Sequence, residues 1–100
     1  MLIVGAGPVG LACAIWARLL GAREVVVSDY AAHRRDMALA YGATAAIDPG
    51  SEELGPAFER IAGHAPQLIF ECVGRPDVVH EISLVADRGA RILTAGMCMT

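Results

Sequence analysis

Three glycines near the start of the chain, at positions 5, 7 and 10, have the G-x-G-x-x-G spacing that is typical of a phosphate-binding turn. The short apolar run Met1–Val4 precedes them and a long apolar stretch of helical character follows, so we expect the turn to join a strand to a helix. In this interpretation Gly5 permits the tight turn and Gly7 lets a pyrophosphate approach bare backbone. Gly10 then lets the helix lie close to the strand.

The start of the predicted helix suits a negatively charged ligand. A helix N-terminus has unpaired N–H groups and about half a unit of positive charge, which together favour a pair of phosphates. Pro8 is compatible with this role, because the N–H that proline lacks has no partner within the first turn of a helix.

Asp29 stands 19 positions beyond Gly10, at the end of the next apolar run, Glu24–Ser28. This is close to the distance at which an acidic residue binds the adenosine ribose of a dinucleotide. A carboxylate there favours NAD over NADP, since two unit charges about 4 Å apart repel by roughly 4 kcal/mol at an effective dielectric constant near 20, and by less at an open rim. Arg34 and Arg35 leave an alternative open, because an arginine in this region is able to accept a 2′-phosphate; they equally fit an exposed helix face.

Apolar runs of strand and helix character alternate along the whole chain with short connections. This pattern predicts an α/β fold, a doubly wound parallel sheet with five strands in the order 3-2-1-4-5. The predicted strands are Met1–Val4, Glu24–Ser28, Thr44–Ile47, Leu68–Phe70 and Arg91–Ala95, and the predicted helices are Pro8–Leu20, Ala32–Tyr41, one capped by Ser51 that ends at Gly63, and Asp77–Ala86.

In such a sheet, ligands bind beyond the carboxyl ends of the strands where the strand order reverses. The glycine turn, the segment 71–75 and the segment 95–98 should converge there, with Cys72, Val73 and Gly74 on the floor of the crevice. We interpret Glu71 as an acid that binds backbone amides near the cofactor rather than as a general base.

Composition narrows the classes of function. The 100 residues carry a net charge of −3 without a basic stripe, which argues against a nucleic-acid partner. The uncharged first 17 residues are broken by glycines and a proline, so we expect no membrane span. Three scattered cysteines make no disulfide framework, which favours a cytoplasmic protein. No spacing indicates a metal site, and we assign no catalytic residue.

Several stretches together resemble the coenzyme-binding (Rossmann) domain of the zinc-type medium-chain alcohol dehydrogenases. The resemblance extends over essentially the whole chain and is more specific than the glycine spacing alone. The stretches are Val4–Leu11, Ala17–Ala22, Val27–Asp29, Tyr41–Thr44, Phe70–Arg75 and Gly89–Gly96.

This resemblance implies a role for each matching position. The pyrophosphate turn would be formed by Gly5, Gly7, Pro8 and Val9, with Gly10 behind it. The other implied contacts are Asp29 to the adenosine ribose, Arg34 beside the adenosine, Cys72, Val73 and Arg75 to the middle of the cofactor, and Ala95, Gly96 and Met97 to the nicotinamide carboxamide.

The family's zinc ligands, proton relay and sixth strand have no counterpart here, so the resemblance implies an NAD-binding domain fragment, residues 1–100, that is not catalytic by itself. Alcohol or carbonyl substrate and zinc would belong to the absent catalytic domain. The fifth strand would then be an unpaired edge that favours association with another copy. A non-catalytic NAD-binding sensor remains the alternative function, and FAD or S-adenosylmethionine the alternative ligands.

Overall fold

The computed structural model describes residues 1–95 as five parallel strands in one sheet with four helices. The strand order is β3-β2-β1-β4-β5, which confirms the predicted doubly wound topology. The elements are β1 (Leu2–Val4), α1 (Pro8–Leu19), β2 (Val26–Ser28), α2 (Ala32–Ala40), β3 (Ala45–Ile47), α3 (Leu54–Ala62), β4 (Leu68–Glu71), α4 (Pro76–Val85) and β5 (Arg91–Thr94). Gly96 and Met97, two of the predicted site residues, lie outside the described residues.

Two apolar clusters, one on each face of the sheet, hold the helices in place. On one face, Phe58 of α3 and Ile82 of α4 pack with side chains of β1, β2, β3 and β4. On the other face, Ala14 of α1 and Ala38 of α2 pack with Ile3, Val25 and Val27. Successive strand residues point to opposite faces. Because helices lie on both faces of the sheet, the short strands consist mainly of consecutive apolar residues.

The second strand is shorter than predicted at its start. The pairing with β1 begins at Val26, opposite Leu2. Val25 instead exchanges hydrogen bonds with Thr44, whose hydroxyl accepts from the Val25 N–H at 2.9 Å and whose own N–H donates to the Val25 carbonyl at 2.8 Å. The apolar residues of the run 24–28 therefore predicted burial correctly, but they placed the start of the strand before Val26, where its pairing with β1 begins.

The prediction that Ser51 caps the third helix is wrong. The helix begins at Leu54, with Glu53 at the N-cap and without a side-chain capping bond. The Ser51 hydroxyl donates instead to the Asp48 carboxylate at 2.7 Å. That carboxylate also accepts the Gly50 N–H at 2.9 Å, so it closes a turn before the helix starts.

Helix α1 is apolar nearly all round, a pattern that favours cover on more than one side. Within residues 1–95 one side is covered, and Trp16 and Leu20 remain 63% and 82% exposed. The reason is topological: both helices on this face follow strands β1 and β2, so no described helix lies over β4 and β5 on this side. No helix of the described chain is long and apolar enough to cross a membrane.

The approach of α1 to the sheet depends on Gly10. A Cβ atom at this position would lie 1.8 Å from the Gly5 carbonyl oxygen and 2.9 Å from the Gly5 carbonyl carbon. Both are backbone atoms, so a side chain here would force the helix and the turn apart. The predicted role of Gly10 as a close-packing residue therefore has a direct geometric cause.

We expect Gly10→Ala to destabilise the chain by at least about 2–3 kcal/mol, because overpacking at a backbone contact cannot be relieved by a rotamer change. Gly55→Ala is the matched control within helix α3. Its Cβ would meet Val85 at an ordinary 3.7 Å, and the gain in helix propensity should leave stability unchanged or raised by up to about 1 kcal/mol. Urea unfolding followed by circular dichroism measures both. Equal stabilities for the two variants would contradict the role assigned to Gly10.

Candidate functional site

The candidate site is an open crevice of about 1010 Å³ at the carboxyl ends of the strands. It extends from the glycine turn to the loops that follow β2, β3 and β4, and residues from all of these segments line it. Among them are Gly5, Asp29, Tyr30, Val73 and Arg75. The crevice lining thus includes Gly5 of the glycine turn and Val73 and Arg75 of the segment 71–75. Cys72, which was predicted for the floor, is not among the lining residues, and Pro8 and Val9 line a separate apolar hollow beside helix α1.

The glycine turn has the predicted form. Gly5 adopts φ +103°, a conformation that L side chains rarely adopt, and a Cβ there would also lie 3.0 Å from a Val73 methyl group. Gly7 is the N-cap of helix α1 and Pro8 occupies the first turn. A Cβ at Gly7 would meet only the Arg34 guanidinium, at 3.8 Å, so the backbone of the turn is open to an approaching ligand. Val9 is exposed beside it.

Asp29 is half-buried and joins the end of β2 to the glycine turn. One carboxylate oxygen accepts the Ala6 N–H at 2.9 Å, and the other accepts the Ala31 N–H at 2.8 Å. Each oxygen retains a further lone pair that is able to accept a hydroxyl. Sequence spacing placed this acid at the adenosine end, but it gave no indication of the bond to Ala6.

The two adjacent arginines of helix α2 have different surroundings. Arg34 is exposed, and its guanidinium reaches the glycine turn near Gly7. Arg35 turns back over the end of β2, where it donates to the carbonyls of Asp29 at 2.8 Å and Tyr30 at 3.0 Å. The structure thus separates the two arginines: Arg34 lies beside the glycine turn, whereas Arg35 is hydrogen-bonded to backbone carbonyls.

Glu71 shapes the loop that follows β4, as predicted. It is fully buried, and one carboxylate oxygen accepts the N–H groups of Val73 and Gly74, both at 2.6 Å. Its other oxygen has no hydrogen-bond partner within the described part of the chain. By holding two amides, Glu71 fixes the turn that presents Val73 to the crevice.

Cys13 of helix α1 and Cys72, which directly follows β4, both pack against the apolar cluster on that face. The pKa of the Cys72 thiol is raised to about 12, mainly by burial and in smaller part by the neighbouring Cys13 thiol and the Glu71 carboxylate. The thiol is thus protonated at neutral pH and unreactive.

Two further predicted residues, Arg75 and Ala95, lie within the described part of the chain, and Arg75 lines the crevice. Arg75 is exposed and forms an ion pair with Asp77 at 3.0 Å, and Ala95 follows β5, where its N–H donates to the Glu71 carbonyl at 2.7 Å. Sequence reasoning assigned no role at the crevice to Tyr30, although its position directly after Asp29 was a usable signal. Among residues 1–95, no group of three or more histidine, cysteine or acidic side chains is placed to hold a metal.

The sequence and the fold of this chain are similar to those of known proteins. A family model described as zinc-binding dehydrogenase matches residues 8–100. The chain belongs to the zinc-binding dehydrogenase family. Sorbitol dehydrogenase of Mus musculus is 33% identical over 100 residues, a match that covers 97% of this chain and 28% of the relative. The chain therefore spans less than a third of that curated relative's length.

Two solved structures of similar proteins contain a nicotinamide cofactor. A short chain alcohol dehydrogenase from E. coli CFT073, complexed with NADH, is 31% identical with a TM-score of 0.87, and the match covers 96% of this chain and 28% of that one. A zinc-binding dehydrogenase from Sinorhizobium meliloti 1021, bound to NADP, is 31% identical with a TM-score of 0.82 over 96% of this chain and 29% of that one. Both forms of the cofactor thus occur among proteins of this fold.

The raised pKa of Cys72 predicts slow alkylation. At pH 8 the thiolate fraction of a group with a pKa near 12 is about a thousandfold lower than at a pKa near 9, and the higher nucleophilicity of the more basic thiolate offsets only part of this. We expect iodoacetamide to modify native Cys72 at least about tenfold more slowly than the urea-unfolded chain, as measured by peptide mass spectrometry. Cys13→Ala removes the neighbouring thiol and should accelerate the reaction; equal rates for native and unfolded protein would contradict the assignment.

Proposed function

We propose that this chain is the NAD-binding part of a zinc-dependent dehydrogenase that transfers hydride between an alcohol or carbonyl substrate and NAD. Membership of the zinc-binding dehydrogenase family supports the reaction class and favours it over a non-catalytic sensor. The bond from Ala6 to the Asp29 carboxylate is the observation that carries the cofactor assignment, because it brings an acid to the edge of a phosphate-binding turn.

In this proposal the pyrophosphate lies over the N-terminus of helix α1. The first-turn amides of a helix have no intrahelical partner and are able to donate to phosphate oxygens. The open space beside Gly7 admits the ligand, and the Arg34 guanidinium near that glycine adds a compensating positive charge. Gly5, Pro8 and Val9 complete the turn.

The adenosine end would lie beside Asp29, whose carboxylate accepts the ribose hydroxyls with the lone pairs left by Ala6 and Ala31. The Tyr30, Val73 and Arg75 side chains line the same crevice and are available to the adenine and the middle of the cofactor. NAD, when bound, supplies the hydride acceptor; the role of these residues is to bind and orient it. Cys72 remains a predicted contact to the middle of the cofactor. Ala95, Gly96 and Met97 remain predicted contacts to the nicotinamide carboxamide.

The zinc, the substrate pocket and the proton relay belong, in this proposal, to parts of the protein beyond these 100 residues. We propose a cytoplasmic location, which the odd number of scattered cysteines favours. We also propose association through the fifth strand, because β5 pairs only with β4 within the described residues and Leu93 on it is exposed.

The assignment of NAD over NADP is tested by titrating NADH and NADPH into the wild-type chain and into Asp29→Asn, using cofactor fluorescence. We expect the wild type to bind NADH at least about tenfold more tightly, since even half of the ~4 kcal/mol repulsion between a carboxylate and a 2′-phosphate exceeds a tenfold preference. Removing the charge at Asp29 should reduce this preference about tenfold.

Asp36→Asn is the matched control, because Asp36 is an exposed acid on helix α2, shortly after Asp29, and its loss changes the net charge equally. It should leave the preference unchanged. Equal affinity of the wild type for the two cofactors, or an unchanged preference in Asp29→Asn, would contradict the role of Asp29.

A further inference from the structure

Arg35 is the cation that organises the loop after β2. From the first turns of helix α2 its Nη1 atom donates to the carbonyl oxygens of Asp29 at 2.8 Å and Tyr30 at 3.0 Å. These two residues precede the helix and line the crevice. A guanidinium that holds both carbonyls fixes the backbone from which the Asp29 carboxylate projects.

The same Nη1 atom also lies 3.5 Å from a carboxylate oxygen of Asp48, which follows β3. The Arg35 and Asp48 side chains are 20% and 30% exposed, so the pair is only partly open to solvent. Hydrogen bonds from Ser51 and Gly50, and the nearby Arg35 charge, lower the pKa of Asp48. The carboxylate thus stays ionised at neutral pH and ties the loop after β3 to the loop after β2.

Both loops border the place where the adenosine ribose would lie. Gly50 and Ser51 line the crevice together with Asp29 and Tyr30, and the Tyr30 ring lies 3.5 Å from the position of a Cβ on Gly50. A shift of either loop would move the Asp29 carboxylate relative to the glycine turn, to which it is held by the single Ala6 hydrogen bond.

We infer that Arg35 is a positioning residue for cofactor selectivity: it holds Asp29 where the carboxylate meets the ribose hydroxyls and excludes a 2′-phosphate. This inference rests on the proposed binding of NAD. It also separates the roles of two neighbouring arginines, since Arg35 is occupied by two carbonyls and Asp48 and does not serve as a phosphate ligand. Arg34 is exposed and lies beside Gly7 at the glycine turn.

The test compares the dissociation constants for NADH and NADPH in Arg35→Met, Arg35→Lys and the wild type. Arg35→Met removes the donors and the charge, so we expect NADH binding to weaken about fivefold or more while NADPH binding changes little, which lowers the preference for NADH by about the same factor. Arg35→Lys retains a cation that is able to reach a carbonyl or Asp48, and it should restore a large part of the preference. A role in fold stability alone would weaken both cofactors equally.

Arg88→Met is the control for loss of one arginine. Arg88 is exposed in the turn before β5, at the amino ends of the parallel strands, whereas the crevice lies at their carboxyl ends. The preference should therefore not change. Thermal melts accompany each titration, and Arg35→Lys keeps the comparison possible if Arg35→Met does not fold.

Two results would overturn the inference. An unchanged preference in a folded Arg35→Met would show that Arg35 does not position Asp29, and a larger loss for NADPH than for NADH would show that Arg35 is itself the phosphate ligand. Neither result affects the proposed function, provided that the wild type binds NADH with an Asp29-dependent preference. Absence of saturable NADH binding by the wild type would instead contradict the proposed function itself.

Discussion

The contact between helix α1 and the glycine turn is the constraint on which the rest of this structure depends. Gly10 lies so close to the Gly5 carbonyl that there is no room for a methyl group between them. This closeness brings the N-terminus of α1 directly over the end of β1. Gly5 of this turn lines the crevice, and the backbone beside Gly7 at the start of the helix is open. A helix N-terminus of this kind is suited to an anion.

Around that turn, two acids hold the neighbouring loops. From the end of β2, the Asp29 carboxylate accepts a hydrogen bond from the Ala6 N–H. At the end of β4, the Glu71 carboxylate accepts hydrogen bonds from the N–H groups of Val73 and Gly74. The two acids differ in environment, because Asp29 is half-buried at the rim whereas Glu71 is fully enclosed. The first is therefore available to a ligand and the second is structural. Arg35 adds a third restraint by linking the loops after β2 and β3.

Much of the fold was predictable because local patterns carry it. Continuous apolar runs indicated strands buried on both faces, and the alternation with helices gave the sheet order that the structure confirms. The predictions were wrong in two places: where a polar side chain bonds a neighbouring loop residue instead of capping a helix, and where a buried residue does not take part in strand pairing. Ser51 bonds to Asp48 rather than capping α3, and Val25 is buried without belonging to the β1 ladder.

The sequence by itself determined the glycine turn, the helix behind it and the acid at the end of β2, because each depends on residue type at a short, fixed spacing. The tertiary structure decided which groups these residues meet. Neighbouring positions on a helix point about 100° apart, so only the packing of α2 separates Arg34 at the turn from Arg35 on the carbonyls. Likewise, only the placement of α1 over the sheet brings Cys13 to Cys72, since residues distant in the chain meet through folding rather than through pattern.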